Sequence, residues 1–177
     1  MPFRALSLVL AACLANAATL EKLTLDEMIE KSTAIVRGRV LAPSTSVRGS
    51  VLYTHFPVEV LEQWKGQPAR QAEVMVPGGS RGSLHQHFPG APSLVTGKEY
   101  VLFLWTGRSG AAQVIGFTQG VFDIRDSAGE PTAHRAASSE ALVDLRTGRM
   151  VRDEPLQMKL AELRARVGEK LAGGATR

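Results

Sequence analysis

The sequence predicts a mainly β protein: a small barrel of five to six strands, with a short N-terminal helix before it and a C-terminal helix after it. Three observations lead there. Between residues 34 and 124, apolar residues recur at every second position in successive short runs, the period of half-buried strands. Glycines fall inside those runs as well as between them, which suits the bent strands of a barrel better than a parallel α/β sheet. A helical period appears in only two places, at 23–32 and at 155–168.

The elements follow in order. In "LTLDEMI", Thr24 has the position of an N-cap, Glu27 stands three residues on to complete a capping box, and Leu23 faces Met28 as a staple, so a short helix ends near Ser32. In 34–41, Ala34, Val36, Gly38 and Val40 share one face while Arg37 and Arg39 share the other. Residues 43–50, "PSTSVRGS", read as a loop by composition. The run 51–64 is the longest extended segment, with Leu52, Thr54, Phe56, Val58 and Val60 alternating against Tyr53, His55, Pro57 and Glu59. Pro57 gives no ladder donor and belongs at an edge or bulge, and Leu61 beside Val60 marks a slip of the pattern, so this strand is expected to bend.

Ala72, Val74 and Val76 alternate up to Pro77, and a long connection follows at 78–98. "YVLFLW" is apolar on both faces, as a central strand should be, which places Trp105 in the core and leaves Trp64 the exposed tryptophan. Two short strands follow at 113–117 and 120–124, with a hairpin tip at 126–129. Beyond Pro155, Leu156, Leu160, Leu163 and Val167 recur at near-helical spacing, and Gly168 is a natural stop.

The N-terminus carries Arg4, an apolar run and then Ala15-Asn16-Ala17, the pattern of a secretory signal cut between Ala17 and Ala18. That run is too short to span a bilayer, for which about 20 apolar residues are needed. Leu10-Ala11-Ala12-Cys13 also resembles a lipobox, in which Cys13 would be acylated and anchor the chain; the Ala-x-Ala match favours the ordinary cut. The expected organisation is a signal at 1–17, a barrel domain at 18–136 and a C-terminal extension at 137–177 with its helix at 155–168. Localisation is then periplasmic or secreted. Cys13 is the sole cysteine, so the cleaved chain has no disulfide and must stand on packing. The formal net charge is +4, with basic and acidic residues interspersed, which does not make a nucleic-acid footprint.

Three segments, "STAIVRGRV", "YTHFPVEVLEQWKG" and "GKEYVLFL", resemble in order and spacing the opening strands of the tissue inhibitors of metalloproteinases and related netrin-like modules. They are similar also to uncharacterised exported bacterial proteins. The resemblance covers roughly residues 32–124 and implies an OB-fold barrel whose partner is a secreted metalloprotease. The family's inhibitors chelate the protease zinc through an N-terminal cysteine, whereas the expected mature terminus here is Ala18-Thr19-Leu20.

The chemistry-bearing residues gather around 78–98. His85 and His87 are one residue apart, and with His55 they could ligate zinc or copper, the basis of a competing metal-dependent enzyme or metal-binding reading. Against it, no acidic residue lies between Pro77 and Lys98 to act as further ligand, base or outer-shell partner. Ser80 or Ser83 with His85 as base lacks both a nucleophile elbow and an orienting carboxylate. The expectation is therefore a binding module without catalytic residues, metal or cofactor, which takes a protein partner and regulates an extracytoplasmic protease. Long ordered connections in compact domains are usually functional, and aromatic and arginine side chains anchor interfaces. Arg48, Tyr53, His55, Arg81, His85, His87 and Phe88 are accordingly the predicted binding residues.

Overall fold

A computed structural model describes residues 19–108, 110–127 and 129–174. The expected signal at 1–17, with Cys13, lies outside the described residues. The described chain opens with β1 (Thr19–Glu21) and α1 (Leu25–Lys31). α1 begins and ends as its sequence predicts. The Thr24 hydroxyl accepts the Glu27 N–H at 3.2 Å, the Glu27 carboxylate accepts the Thr24 N–H at 2.8 Å, and Ser32 is the C-cap. At the other end, Lys65 Nζ donates to the carbonyls of Ile29 at 2.6 Å and Glu30 at 2.9 Å, a cation on the negative end of the helix.

The chain then makes β2 (Ala34–Val40), β3 (Ser44–Arg48), β4 (Val51–Lys65), β5 (Gln71–Pro77), β6 (Gly79–Arg81), β7 (Leu84–Gln86), β8 (Glu99–Thr106) and β9 (Ala112–Val114). Five of these close a ring in the order β2, β4, β5, β9, β8 and back to β2. Every neighbour pair is antiparallel except β5 and β9, which meet in parallel through Val74 and Ala112. Over the described residues the protein is thus mainly β, with a closed five-stranded barrel and two α-helices. Beyond the ring come β10 (Val121–Ser127), β11 (Glu130–Arg135), β12 (Ala141–Asp144), β13 (Arg149–Val151), β14 (Leu156–Lys159) and α2 (Leu160–Gly174). β10, β11 and β14 extend the barrel sheet outward from β8, while β12 pairs with β1 in parallel and with β13 in a separate small sheet.

β8 has two buried faces because two cores meet on it. Tyr100, Leu102 and Leu104 point into the barrel with Val36, Val40, Phe56, Val58, Val74 and Val76. Val101 and Phe103 point out, where Met28 and Ile29 of α1, Phe122 of β10 and Leu163 and Val167 of α2 cover them. The outward arginines of β2 become an ion-pair chain: Arg37 joins Glu62 at 2.7 Å and Glu99 at 3.0 Å, and Arg39 joins Glu99 at 2.7 Å.

The bend expected in β4 is resolved into two bulges. Against β2, Ile35 faces Lys65 and Val36 faces Gln63, so Trp64 is extra; Arg37 faces Glu62 and Gly38 faces Val60, so Leu61 is extra. Gly38 is needed there, since a Cβ would lie 2.5 Å from Val58 Cγ1 and 2.6 Å from the Glu59 carbonyl oxygen. Pro57 sits where the partner of β4 changes from β2 to β3. Its carbonyl accepts the Leu41 N–H at 2.8 Å, while the Leu41 carbonyl, which an amide at position 57 would have served, takes the Thr96 hydroxyl at 3.4 Å.

Four expectations are corrected. Residues 44–48 are a strand, because Gly49 at φ +60° lets Gly49-Ser50 close a two-residue hairpin between Arg48 and Val51. Residues 78–98 are not one loop but open with the β6–β7 hairpin. The helix expected at 155–168 starts later and runs longer: Leu156 and Met158 alternate as β14 against β11, and the helix passes through the exposed Gly168 to Gly174. Trp105 is 47% exposed, because the helices cover the outer face of β8 at Val101 and Phe103 but not beyond. Trp64 instead packs on the outer core and donates its indole N–H to Glu62 at 3.0 Å.

Candidate functional site

The predicted binding residues sit on two structures that meet at one end of the barrel, the β3–β4 hairpin and the segment from β6 to Ser93. Backbone parity in the hairpin is settled by Gly78, whose N–H donates to the Leu52 carbonyl at 2.7 Å. Leu52 and Thr54 thus turn their backbone groups toward β5, and Tyr53 and His55 turn theirs toward Ser46 and Ser44 of β3. Side chains follow the other alternation. Arg48, Ser46, Tyr53 and His55 lie on the outer face, opposite Leu52, Phe56 and Val58, which are buried.

The second structure crosses the inner face. Gly78 and Gly79, at φ +100° and +131°, turn the chain out of the β5 ladder, and a Cβ at Gly79 would run into the side chains of Thr54 and Leu52. β6 packs against both β3 and β4. Gln86 ties the two structures together, its Oε1 accepting the Leu52 N–H at 2.6 Å and its Nε2 donating to the Ser50 carbonyl at 2.8 Å. Farther on, Leu94 is buried in the barrel core and the Val95 N–H donates to the Tyr100 hydroxyl at 3.2 Å. The connection is therefore anchored at both ends. Between the anchors is a cleft of about 350 Å³ lined by Phe56, Val76, Pro77, His87, Phe88 and Pro92.

The histidines part company. His55 is held on the outer face, with Nε2 2.6 Å from Ser46 Oγ and Nδ1 3.0 Å from Glu73 Oε1. An ionised Glu73 can only accept, so Nδ1 carries a proton, and in the neutral ring Nε2 accepts from the Ser46 hydroxyl. His85 Nδ1 is 2.7 Å from Ser80 Oγ, directly across the exposed β6–β7 hairpin, and His87 lines the cleft. Among the described residues no three His, Cys, Asp or Glu side chains come together as a metal-holding group.

The order Ser46–His55–Glu73 has the connectivity of an acyl-transfer triad. Its surroundings do not match that chemistry. The Glu73 side chain is 67% exposed, so water competes for the carboxylate that would orient the ring. The Ser46 N–H is spent on the ladder to Tyr53, and the Val47 N–H points off the strand edge rather than toward the face bearing the hydroxyl. The same hydrogen bonds brace three adjacent strands, β3 to β4 to β5.

Arg48 and Arg81 are exposed, and among the described residues neither pairs with a carboxylate. Gln86, Ser46 and Glu73 carry no signal in the sequence that marks them as site residues. Ser46 lies in a stretch whose composition reads as a loop, and Gln86 is a lone amide between two histidines. No helix among the described residues is long and apolar enough to cross a membrane. No protein-family model, curated protein or solved structure matches the chain.

Proposed function

We propose that the chain is an exported, non-enzymatic binding module that holds a protein partner where the β3–β4 hairpin meets the β6-to-Ser93 segment. One observation carries the reading: Gln86 spans Ser50 and Leu52, so the hairpin and the segment bearing Arg81, His85 and Phe88 form one unit, with candidate anchors on both sides of the β3 edge, held in place before any partner arrives. Holding groups in place beforehand lowers the ordering cost of association, and unpaired arginines beside an aromatic residue are typical anchors. The netrin-like resemblance suggests a secreted protease as the partner class. With no cysteine expected at the mature terminus, regulation would run through this surface rather than through chelation of a protease zinc.

The test is a parallel capture from a cell-envelope extract, with wild type and a Tyr53→Ala/Arg81→Ala variant immobilised side by side. The expected result is a protein kept by wild type and released by the variant while both melt at the same temperature. A protein kept equally by both, or lost instead on changing Arg164 and Arg166 of α2, overturns the assignment.

A further inference from the structure

Building on that binding surface, we infer that the outer edge of β3 is a strand-addition site for an extended, acidic peptide segment of the partner. The edge lies between the two faces on which the binding residues are divided. Ser44, Ser46 and Arg48 spend their backbone groups on the ladder to β4, which leaves the N–H and C=O of Thr45 and Val47 directed away from the sheet. Among the described residues no strand pairs with that edge. The other strands that end a sheet among the described residues are shorter: β14 has four residues, and β1, β6, β7 and β13 have three each, against five in β3.

Natural proteins blunt free edges with lysine, proline or inward charge. Thr45 and Val47 carry none of these, and Val47 is 42% exposed. A segment added here would take its affinity from main-chain hydrogen bonds and its specificity from alternate side chains. The charge of the occupant follows from the ends of the site. Arg48 closes the edge and Arg81 ends β6, which packs against β3, and both guanidinium groups lack a carboxylate among the described residues. Arg48 lies on the outer face and β6 packs from the inner face, so glutamate or aspartate on either face of the added strand, alternating with β-branched residues, meets a cation, whereas lysine at those positions is repelled.

The probe is a set of fluorescent, N-acetylated heptapeptides that alternate Val or Thr with Glu, Ser or Lys, followed by anisotropy against the full chain. Glu members should bind saturably and weaken with salt, Ser members should bind less tightly, and Lys members not at all. Methylating every second peptide amide should abolish binding in one parity and spare it in the other, because only one edge of the added strand faces β3. Arg48→Ala with Arg81→Ala should weaken the Glu peptides about tenfold or more. Val47→Pro should remove binding; if that variant melts early, the methylation pair and the arginine pair still decide. No binding by Glu members at millimolar peptide, equal effects of the two methylation parities, or equal binding of Lys members each overturns strand addition. If the peptides fail while the envelope partner is still lost from Tyr53→Ala/Arg81→Ala, only this inference falls. Should that capture fail as well, the surface itself is wrong.

Discussion

Arg135 and Asp153 form a two-pronged pair, Nη1 and Nη2 each 3.0 Å from a carboxylate oxygen, with only 9% and 1% of the two side chains exposed. Nη2 also donates to the Glu154 carbonyl at 2.7 Å, and Asp153 accepts the Ser138 N–H at 2.8 Å. The pair thereby fastens the end of β11 to the approach of β14. Asp153→Ala strands a buried guanidinium and should cost about 3–5 kcal/mol in urea unfolding. The double change Arg135→Ala/Asp153→Ala should cost less than the sum of the single changes. A cost for Asp153→Ala under about 1 kcal/mol would mean that water reaches the pair.

Gln119 has the same kind of duty in neutral form. It is fully buried, its Oε1 accepts the Leu23 N–H at 2.9 Å, and its Nε2 donates to the Glu21 carbonyl at 2.9 Å. Gln119→Leu keeps most of the volume but leaves that amide and that carbonyl without partners, so about 2 kcal/mol or more should be lost. The Leu23 amide should then exchange its hydrogen faster than in wild type. Unchanged exchange would show that the amide is satisfied in another way.

What was legible in the sequence was what local chemistry dictates. The capping box at Thr24 and Glu27 needs only four residues in a row, and β8 declared itself by lacking a polar face. The bulges of β4 showed as a broken alternation at Leu61. What escaped depends on partners far along the chain. β1 exists because Ala141–Asp144 lies beside it, and β14 because β11 offers it an edge. Leu156 and Leu160 are spaced for a helix and sit equally well on opposite sides of a strand-to-helix junction. The alternation along β4 sets His55 opposite the apolar face, as found, but its neighbours Ser46 and Glu73 come from strands on either side of β4 and no spacing announces them.

Acid should unfold the protein partly through the outward face of β2. Burial on its own pushes the Glu62 carboxyl up, yet the hydrogen bonds from Trp64 and Arg37 and the charges of Arg164 and Arg37 outweigh it, and the net direction is down. Glu99 behaves alike, burial opposing and the hydrogen bonds and charges of Arg39 and Arg37 prevailing. A carboxyl whose folded value is depressed stabilises fully above its unfolded value, about 4.3, and loses that contribution as pH falls through the folded value. The melting temperature should therefore hold down to about pH 5 and drop below about pH 4. Glu62→Gln/Glu99→Gln should start lower at neutral pH and fall less steeply in acid. Parallel acid limbs for variant and wild type would place the acid sensitivity elsewhere.

The Ser46–His55–Glu73 chain separates a brace from a catalyst, and the two make opposite demands on the same atoms. As a catalyst, Ser46 must be nucleophilic, so a fluorophosphonate probe should label it and Ser46→Ala should abolish hydrolysis of an activated ester. As a brace, the hydroxyl and the ring hold β3 and β5 against β4, which needs no reactivity. The exposed Glu73 and the edge-directed Val47 amide favour the brace. The expected outcome is no label on Ser46 and no ester turnover above that of Ser46→Ala. His55→Ala, which removes the ring and both hydrogen bonds, should cost about 1–2 kcal/mol. It should also loosen the β3 edge, seen as faster amide exchange at Ser44 and Ser46, whose N–H groups are otherwise held in the ladder to β4. Because that edge is the inferred docking strand, the variant should bind the Glu peptides more weakly although His55 lies on β4, one strand in from the edge. Stoichiometric labelling of Ser46 would instead make the chain an acyl-transfer enzyme and remove the ground for calling its surface a simple binding site.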